Sequence, residues 1–594
     1  MMWLGILSAT AFSFCLYILF SLWLILRAGK QKGITTKYAA IIFIVLLIGF
    51  SIANYWLMIP VTLVNMTITN AVVAIIGIGL VYGIVASNSV EKVGKKFRVN
   101  LEKGTNGRYL KVLGTSVIIG VIAIPVMFVF GVFALGKSYD SIPKQAEKEA
   151  KPVDKDQTPI TVSPEFARNK IQKSMSQVAN TQFYDLGKLQ VQKVKDDIVF
   201  VAPVEFTSFW KYFRGKETEG YFRISATNVN AQPEFVKSKM KYTNSSYLND
   251  RIERKIYSAY PTYIQSGSAQ IEVDEDGKPW YVQSIYHPIG FSNKPNLKNV
   301  HVAVVDPVTG ETNKYKASEA PEFINGSISS EMASDENTYF GKYPHGWLNS
   351  IFGKKDVKIP NESGTESYVT PIFDETGHMY YFTDMASPKQ NIDSALGYTL
   401  IDARTGELTY YNGKKNNGIM DSKGAKEIVN KEFPEKKWKG TMPILYNIDG
   451  NPTWVVNVLD PNGLFKRYAY IKANDTDFVV FGENAKDTLE SYRLRLSQDP
   501  SNVGSTGDSE LEKRKGKVER VIVTTQKNGQ VIQFLLKDDD VIYSVNAGKE
   551  PLALFLQKDD EVNLEANIRE NNIGVVENIK IKGLSKEQAP ETEE

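Results

Sequence analysis

Three stretches of this chain line up on a glycine. With Gly277, Gly377 and Gly450 in register, an aromatic residue falls four positions later each time (Tyr281, Tyr381, Trp454) and a proline eleven later (Pro288, Pro388, Pro461). Proline is 25 of 594 residues, so a threefold match at one offset marks an internal repeat. Each glycine closes a turn that begins with Asp or Asn, where it takes a positive φ at no steric cost. Alternating residues follow, as in "WYVQSIY" and "TWVVNVL", the period of a strand. A second strand then runs into "VVDPVTGE" (304–311) or "LIDARTGE" (400–407). Asp306 and Asp402 are expected to accept backbone N–H bonds there, with Gly310 and Gly406 in the left-handed position. The unit is thus a helix followed by about three antiparallel strands. Helical segments are read from Ser163, Asn249 and Asp421, and a degraded earlier copy in 163–235.

The repeated acids admit a catalytic reading, since glycosidic hydrolysis uses two carboxylates roughly 5–10 Å apart across a cleft. Nothing in the spacing brings Glu311 and Glu407 together, and both follow turn glycines. The turn reading is preferred. No G-x-S-x-G or phosphate-binding glycine loop is present. The four histidines are scattered and the single cysteine, Cys15, lies in an apolar run, so no disulfide or Cys-based zinc site follows. No catalytic, cofactor-binding or metal-binding residue is assigned, and no cofactor is expected.

A helix, then G-x-P-x-W-x-V, then a strand ending in V-D-x-x-T-G-E resembles the PepSY domain of secreted and membrane-bound bacterial proteins, over roughly 249–482. The resemblance implies tandem modules outside the membrane that inhibit or modulate peptidases.

Residues 1–26 carry no charge, and neither do residues 38–90. A crossing helix needs about 20 apolar residues. Helices near 5–26, 39–59, 70–87 and 112–136 are therefore expected, a four-helix transmembrane domain over 1–136. The basic loops 27–38 and 88–111 would be cytoplasmic, with the N-terminus and 137–594 outside. These expectations define a multi-pass plasma-membrane protein with the lipid bilayer as one partner.

Composition divides the rest. Residues 137–162 read as a linker, 163–245 as an α+β module, and 246–360, 361–420 and 421–496 as three PepSY-like modules. A second linker, 497–513, precedes five strand-like runs over 514–584 with a short apolar turn before the fourth, which resembles the OB-type barrel. Residues 585–594 read as a disordered tail. The aromatic and basic segment "KYPHGWLNSIFGKK" (342–355) is read as a packed loop between repeats, with docking to a membrane surface or a partner as the alternative. The fold class expected is thus a membrane domain followed by extracytoplasmic α+β repeats and a small β-barrel. The function expected is a non-enzymatic scaffold or interaction protein of a bacterial envelope assembly, with a protein partner. The alternatives are a peptidase regulator and a cell-wall-acting enzyme. A net charge of +3 gives no reason to invoke nucleic acid.

Overall fold

The structure is a computed structural model that describes parts of 41–68, strands within 90–99, and residues 106–145, 162–361, 368–374, 376–388, 394–411, 418–497, 511–526, 529–568 and 572–584. It is mainly antiparallel β-sheet. Two compact units divide the chain: the first holds 1–148, 158–392 and 396–411, the second 412–594 with two short segments, 149–157 and 393–395.

Three helix-and-meander modules make up the core of the first unit. In the first, Pro164–Lys173 precedes Tyr184–Leu186 and Gln190–Val194, which both pair with Asp197–Phe206; Thr218–Ser225 and Glu234–Met240 then follow across the sheet. Ser163 starts that helix by accepting the Phe166 N–H at 3.3 Å, with Pro164 in the first turn, where its missing N–H costs nothing. The second module repeats the plan. Ile252–Ala259 precedes Ile264–Gln265 and Gln270–Val273, both on one edge of Pro279–Pro288, then Pro295–Val305 and Thr312–Lys316. The third does so with Ser330–Lys342, Ile359–Pro360, Thr370–Phe373, Met379–Ala386, Ala395–Asp402 and Leu408–Tyr411. Its helix lies within 246–360, ahead of the third module's strands. Sequence reading missed it because its buried face carries Ser334, Glu336 and Asn337 beside Met332 and Ala333, so no apolar stripe repeats.

The first two modules share one core: Val201, Tyr221 and Met240 of one sheet pack with Ile252, Ile256, Tyr281 and Ala303 of the next. Buried Gln192 closes the seam, donating to Val273 O and accepting from Val273 N, both at 2.9 Å.

The second unit holds a fourth helix and meander, Ser422–Glu432 with Lys439–Ile448, Asn451–Leu459, Phe465–Lys472 and Val479–Gly482. Here one bulged strand stands where the others use two short ones. Trp454 is fully buried and donates Nε1 to Met420 O at 3.0 Å. Glu512–Gln526 begins a closed five-stranded barrel, ordered first, second, third, fifth, fourth, with the third and fifth strands parallel and the rest antiparallel. A 3-10 turn, Pro551–Phe555, precedes the fourth strand. Ile532, Phe534, Tyr543, Leu564 and Val576 fill the interior.

The membrane expectation is corrected. Among the described residues no helix is long and apolar enough to cross a membrane. The four-helix transmembrane domain and the multi-pass plasma-membrane placement are therefore not carried forward. The spans near 5–26 and 70–87 lie outside the described residues, and 39–59 is described only in pieces. The segment near 112–136 falls in a helix, Asn106–Asp140, with Pro125 inside it. Within 88–111, Val90–Val93 and Lys96–Val99 pair antiparallel.

Residues 137–145, expected to open a linker, pack against the modules. Buried Ser138 donates Oγ to Pro295 O at 3.0 Å, and Ser141 Oγ accepts the Leu297 N–H at 3.0 Å. Leu408 donates its N–H to Pro143 O at 2.8 Å and accepts from Gln145 N at 3.0 Å, so this segment extends the edge of the third sheet.

Candidate functional site

The two Asp-x-x-Thr-Gly-Glu stretches are turns of one geometry. Asp306 Oδ1 accepts from Val308 N and Thr309 N at 2.7 and 3.1 Å; Asp402 Oδ1 accepts from Arg404 N and Thr405 N at 2.8 and 3.0 Å. Gly310 and Gly406 sit at φ 73° and 74°. The second carboxylate oxygen reaches back to the preceding turn, at the residue after its glycine. Lys278 donates Nζ to Asp306 at 2.8 Å, and His378 Nε2 lies 2.9 Å from Asp402. Burial pushes the Asp306 carboxyl up, but the Lys278 ammonium and the two N–H groups outweigh it and hold it below the usual carboxylate range. Glu311 and Glu407 stand at the ends of turns in different sheets, where Glu311 accepts from Asn313 at 3.3 Å and Glu407 from Gln145 at 2.8 Å.

Where the first three modules meet there is a cleft of about 410 Å³. The first module contributes Lys193 from the end of its second strand and Lys195 from the turn that follows. The second module adds Glu275, the stretch from Glu322 to Asn325 joins the modules, and the third supplies Thr376–Met379 and Arg404. Gly377 sits at φ 79°, which favours glycine, and a Cβ there would lie 2.1 Å from Lys193 Cδ and displace that side chain. Absence of that Cβ lets Lys193 donate Nζ to Thr376 O at 2.6 Å.

The joining stretch is gripped from both sides. Arg404 donates to Ala320 O, Pro321 O, Glu322 O and Ile324 O at 2.7, 3.2, 3.1 and 2.6 Å. Glu272, fully buried beneath it, accepts from Asn325 N at 2.7 Å and Gly326 N at 2.9 Å. Burial pushes the Glu272 carboxyl up to about 7 even though both N–H bonds and Arg404 favour the anion. Lys193, Arg404 and His378 thus build the walls. Lys195, Glu275 and Glu322 line the cleft with side chains that make no hydrogen bond or ion pair among the described residues. No cluster of three or more metal-ligating groups occurs among the described residues.

Sequence reading named Gly377 only as a turn glycine and assigned none of the cleft residues to a site. Each lies in or beside a turn and has an ordinary local role; only the packing of three modules brings them together.

No family model matches the chain, and no curated protein matches it. Among solved structures, a Trypanosoma rangeli sialidase is 8% identical at a TM-score of 0.16, over 67% of this chain and 54% of its own. This chain therefore spans about half the sialidase's length. A structure titled simply "Glycoside hydrolase" is 9% identical at 0.17, over 72% and 98%. A GH43_1 enzyme from Xanthomonas citri complexed with xylotriose is 8% identical at 0.17, over 68% and 95%. Likeness at these scores carries no argument about fold or activity.

Proposed function

We propose that the chain is a non-enzymatic interaction protein, a tandem array of helix-and-meander modules that holds a segment of a partner protein in the cleft between its first three modules and serves as a scaffold. The observation that carries this reading is the division of labour in the cleft. The charged groups with bonding partners hold backbone, while Lys195, Glu275 and Glu322 offer charge of both signs to a ligand. A peptide with acidic and basic side chains satisfies them. Acid–base catalysis asks instead for a carboxyl or imidazole held in place by its neighbours. Glu275 and Glu322 have no such support, and the one supported imidazole, His378, commits Nε2 to Asp402, whose carboxylate is tied into a turn.

A second reading, regulation of a peptidase, is favoured by the helix-and-meander plan that all four modules share, which is what the PepSY resemblance implies. The closed barrel, with its turn before the fourth strand, suits a further binding module of OB type.

The test is photocrosslinking in the native host with p-benzoylphenylalanine in place of Glu275 and, separately, of Lys195, with Glu311 as the control position. A discrete protein adduct at the two cleft positions and none at the control is expected. A peptidase as the adduct, with its rate altered by the purified chain, would select the regulator. Absence of any cleft adduct, or a hydrolytic activity lost in E275Q or E322Q at full stability, would overturn the proposal.

A further inference from the structure

A string of aromatic residues, interrupted by polar contacts, runs across the first unit and can be followed from end to end. The helix Phe209–Gly215 leaves Trp210 70% and Phe213 60% exposed. Its other side rests on Tyr247, whose ring lies 5.3 Å from Phe209 and 5.6 Å from Tyr212. Tyr212 donates to Asp250 at 2.9 Å. One helical turn on, the Arg254 guanidinium covers the rings of Tyr55 and Trp56 at 4.4 and 4.9 Å and donates to Tyr55 O at 3.0 Å. Tyr257 holds Ile59 O at 2.8 Å, and Thr62 bonds Asn293 at 3.1 Å. Phe291, beside it, meets Phe130 at 6.0 Å, and Phe128 meets Trp347 edge-on at 5.9 Å. The path ends at Leu348 and Phe352, the latter 80% exposed.

Along this path Trp210, Phe213, Phe128, Phe130, Phe133 and Phe352 are each more than half exposed. With roughly 150–250 Å² per aromatic side chain, Trp210 with Phe213 at one end, and the rings of 128–133 with Phe352 toward the other, each expose apolar area on the order of the few hundred Å² that marks an interaction surface. The segment 342–355, read from sequence as a packed loop, is packed through Tyr343 and Trp347 and open at Leu348, Ile351 and Phe352.

The charges identify the occupant. Arg214 and Lys216 follow Phe213, and Lys354 and Lys355 follow Phe352; all four are exposed and make no ion pair among the described residues. Two of the nearby acids have partners: Asp250 accepts from Tyr212 and lies 3.9 Å from Lys241, and Asp356 lies 2.9 Å from His345. Glu217 and Asp140 are exposed without such a partner among the described residues. Aromatic rings followed by cations at both ends suit the headgroup layer of an anionic bilayer, where rings lie at the interface and Lys and Arg reach phosphates. Protein interfaces are instead depleted in lysine. We propose that this face docks on an anionic lipid bilayer surface, with Trp210, Phe213 and Phe352 in the headgroup layer and Arg214, Lys216, Lys354 and Lys355 on lipid phosphates.

The test uses the full chain in a C15S background carrying F213C or F352C, with E311C as the control, each labelled with an environment-sensitive fluorophore. These positions are exposed, so the substitutions leave the core intact. On vesicles of mixed phosphatidylcholine and phosphatidylglycerol, the probes at 213 and 352 should shift to the blue. They should also be quenched by spin-labelled lipid and shielded from aqueous iodide, while the probe at 311 stays wet. The combined variant R214E/K216E/K354E/K355E should weaken this response about tenfold or more, because each cation near an anionic surface adds to attraction. Probes at 213 and 352 that stay open to iodide on bound vesicles would overturn the proposal. So would shielding that needs no lipid and rises with protein concentration, which would make the face a contact between proteins.

Discussion

Replacing Arg404 by alanine tests how the cleft wall is held. The guanidinium caps four carbonyls of the stretch between the second and third modules, two of them at 2.6 and 2.7 Å. A hydrogen bond from a charged donor contributes about 1.5–3 kcal/mol where water is excluded and less where it is not. Counting only the two short bonds at the low end gives a loss of about 3 kcal/mol. That loss falls on local opening of the stretch, because no module core contains Arg404. The assay is native-state hydrogen exchange at Ile324, Asn325, Gly326 and Ile328, whose N–H groups bond to Pro321 O, the Glu272 carboxylate and Ala403 O. At about 1.4 kcal/mol per tenfold, R404A should raise exchange there about a hundredfold, with Val199 and Val201 unchanged. R404K keeps the charge but cannot span four carbonyls from one ammonium, so it should fall between. Exchange at Asn325 and Gly326 within about twofold of the parent in R404A would refute the clamp.

The turns, the buried acid and one glycine give three further predictions. D306A and D402A each lose two backbone N–H bonds and a link between turns, and should lower unfolding stability by about 1–2 kcal/mol without removing a specific activity; loss of an activity at full stability would contradict a structural role. Glu272 has a folded pKa of about 7, above the unfolded value of about 4.3, so the unfolded chain ionises first and stability should fall as pH rises between these values, by on the order of 3 kcal/mol, then level off. Urea unfolding of the parent against E272Q at pH 5 and pH 8 checks this: the variant should keep the share due to Glu205 and Glu336, which burial also raises, and lose the share due to Glu272, and an equal pH dependence in both would remove Glu272 as a source. Gly397 lies at φ 147° with Tyr411 O 2.5 Å from where a Cβ would sit, so G397A should cost about 2 kcal/mol or more by thermal unfolding; an unchanged midpoint would show that the strand edge relaxes freely.

Local chemistry was legible in the sequence, and long-range placement was not. Asp306, Gly310, Asp402 and Gly406 were readable because a turn is written in consecutive residues. Ser163 and Asp421 announced their helices for the same reason, each accepting an N–H three residues on. The helix Ser330–Lys342 was hidden because packing against a polar seam removes the apolar period. The cleft was invisible because Lys193, Glu275 and Arg404 have no sequence relation, and the tie from Lys278 or His378 to the next turn shows only when the turns are stacked. The uncharged N-terminal runs prompted a membrane domain from hydropathy alone, yet the described parts of 41–68 and 106–145 are bonded to module residues such as Arg254, Tyr257 and Pro295.

The pairing of Pro143 and Gln145 with Leu408 bears on how the chain avoids polymerising. A meander ends in a strand whose outer N–H and C=O groups can template another chain, and stacked modules of one design are open to mispairing with copies of themselves. By laying residues 143–145 along the start of Leu408–Tyr411, the chain covers part of that edge with its own backbone. Deleting or displacing this segment exposes the edge, and fibre growth or strand exchange between molecules becomes the hazard that the intact chain holds in check.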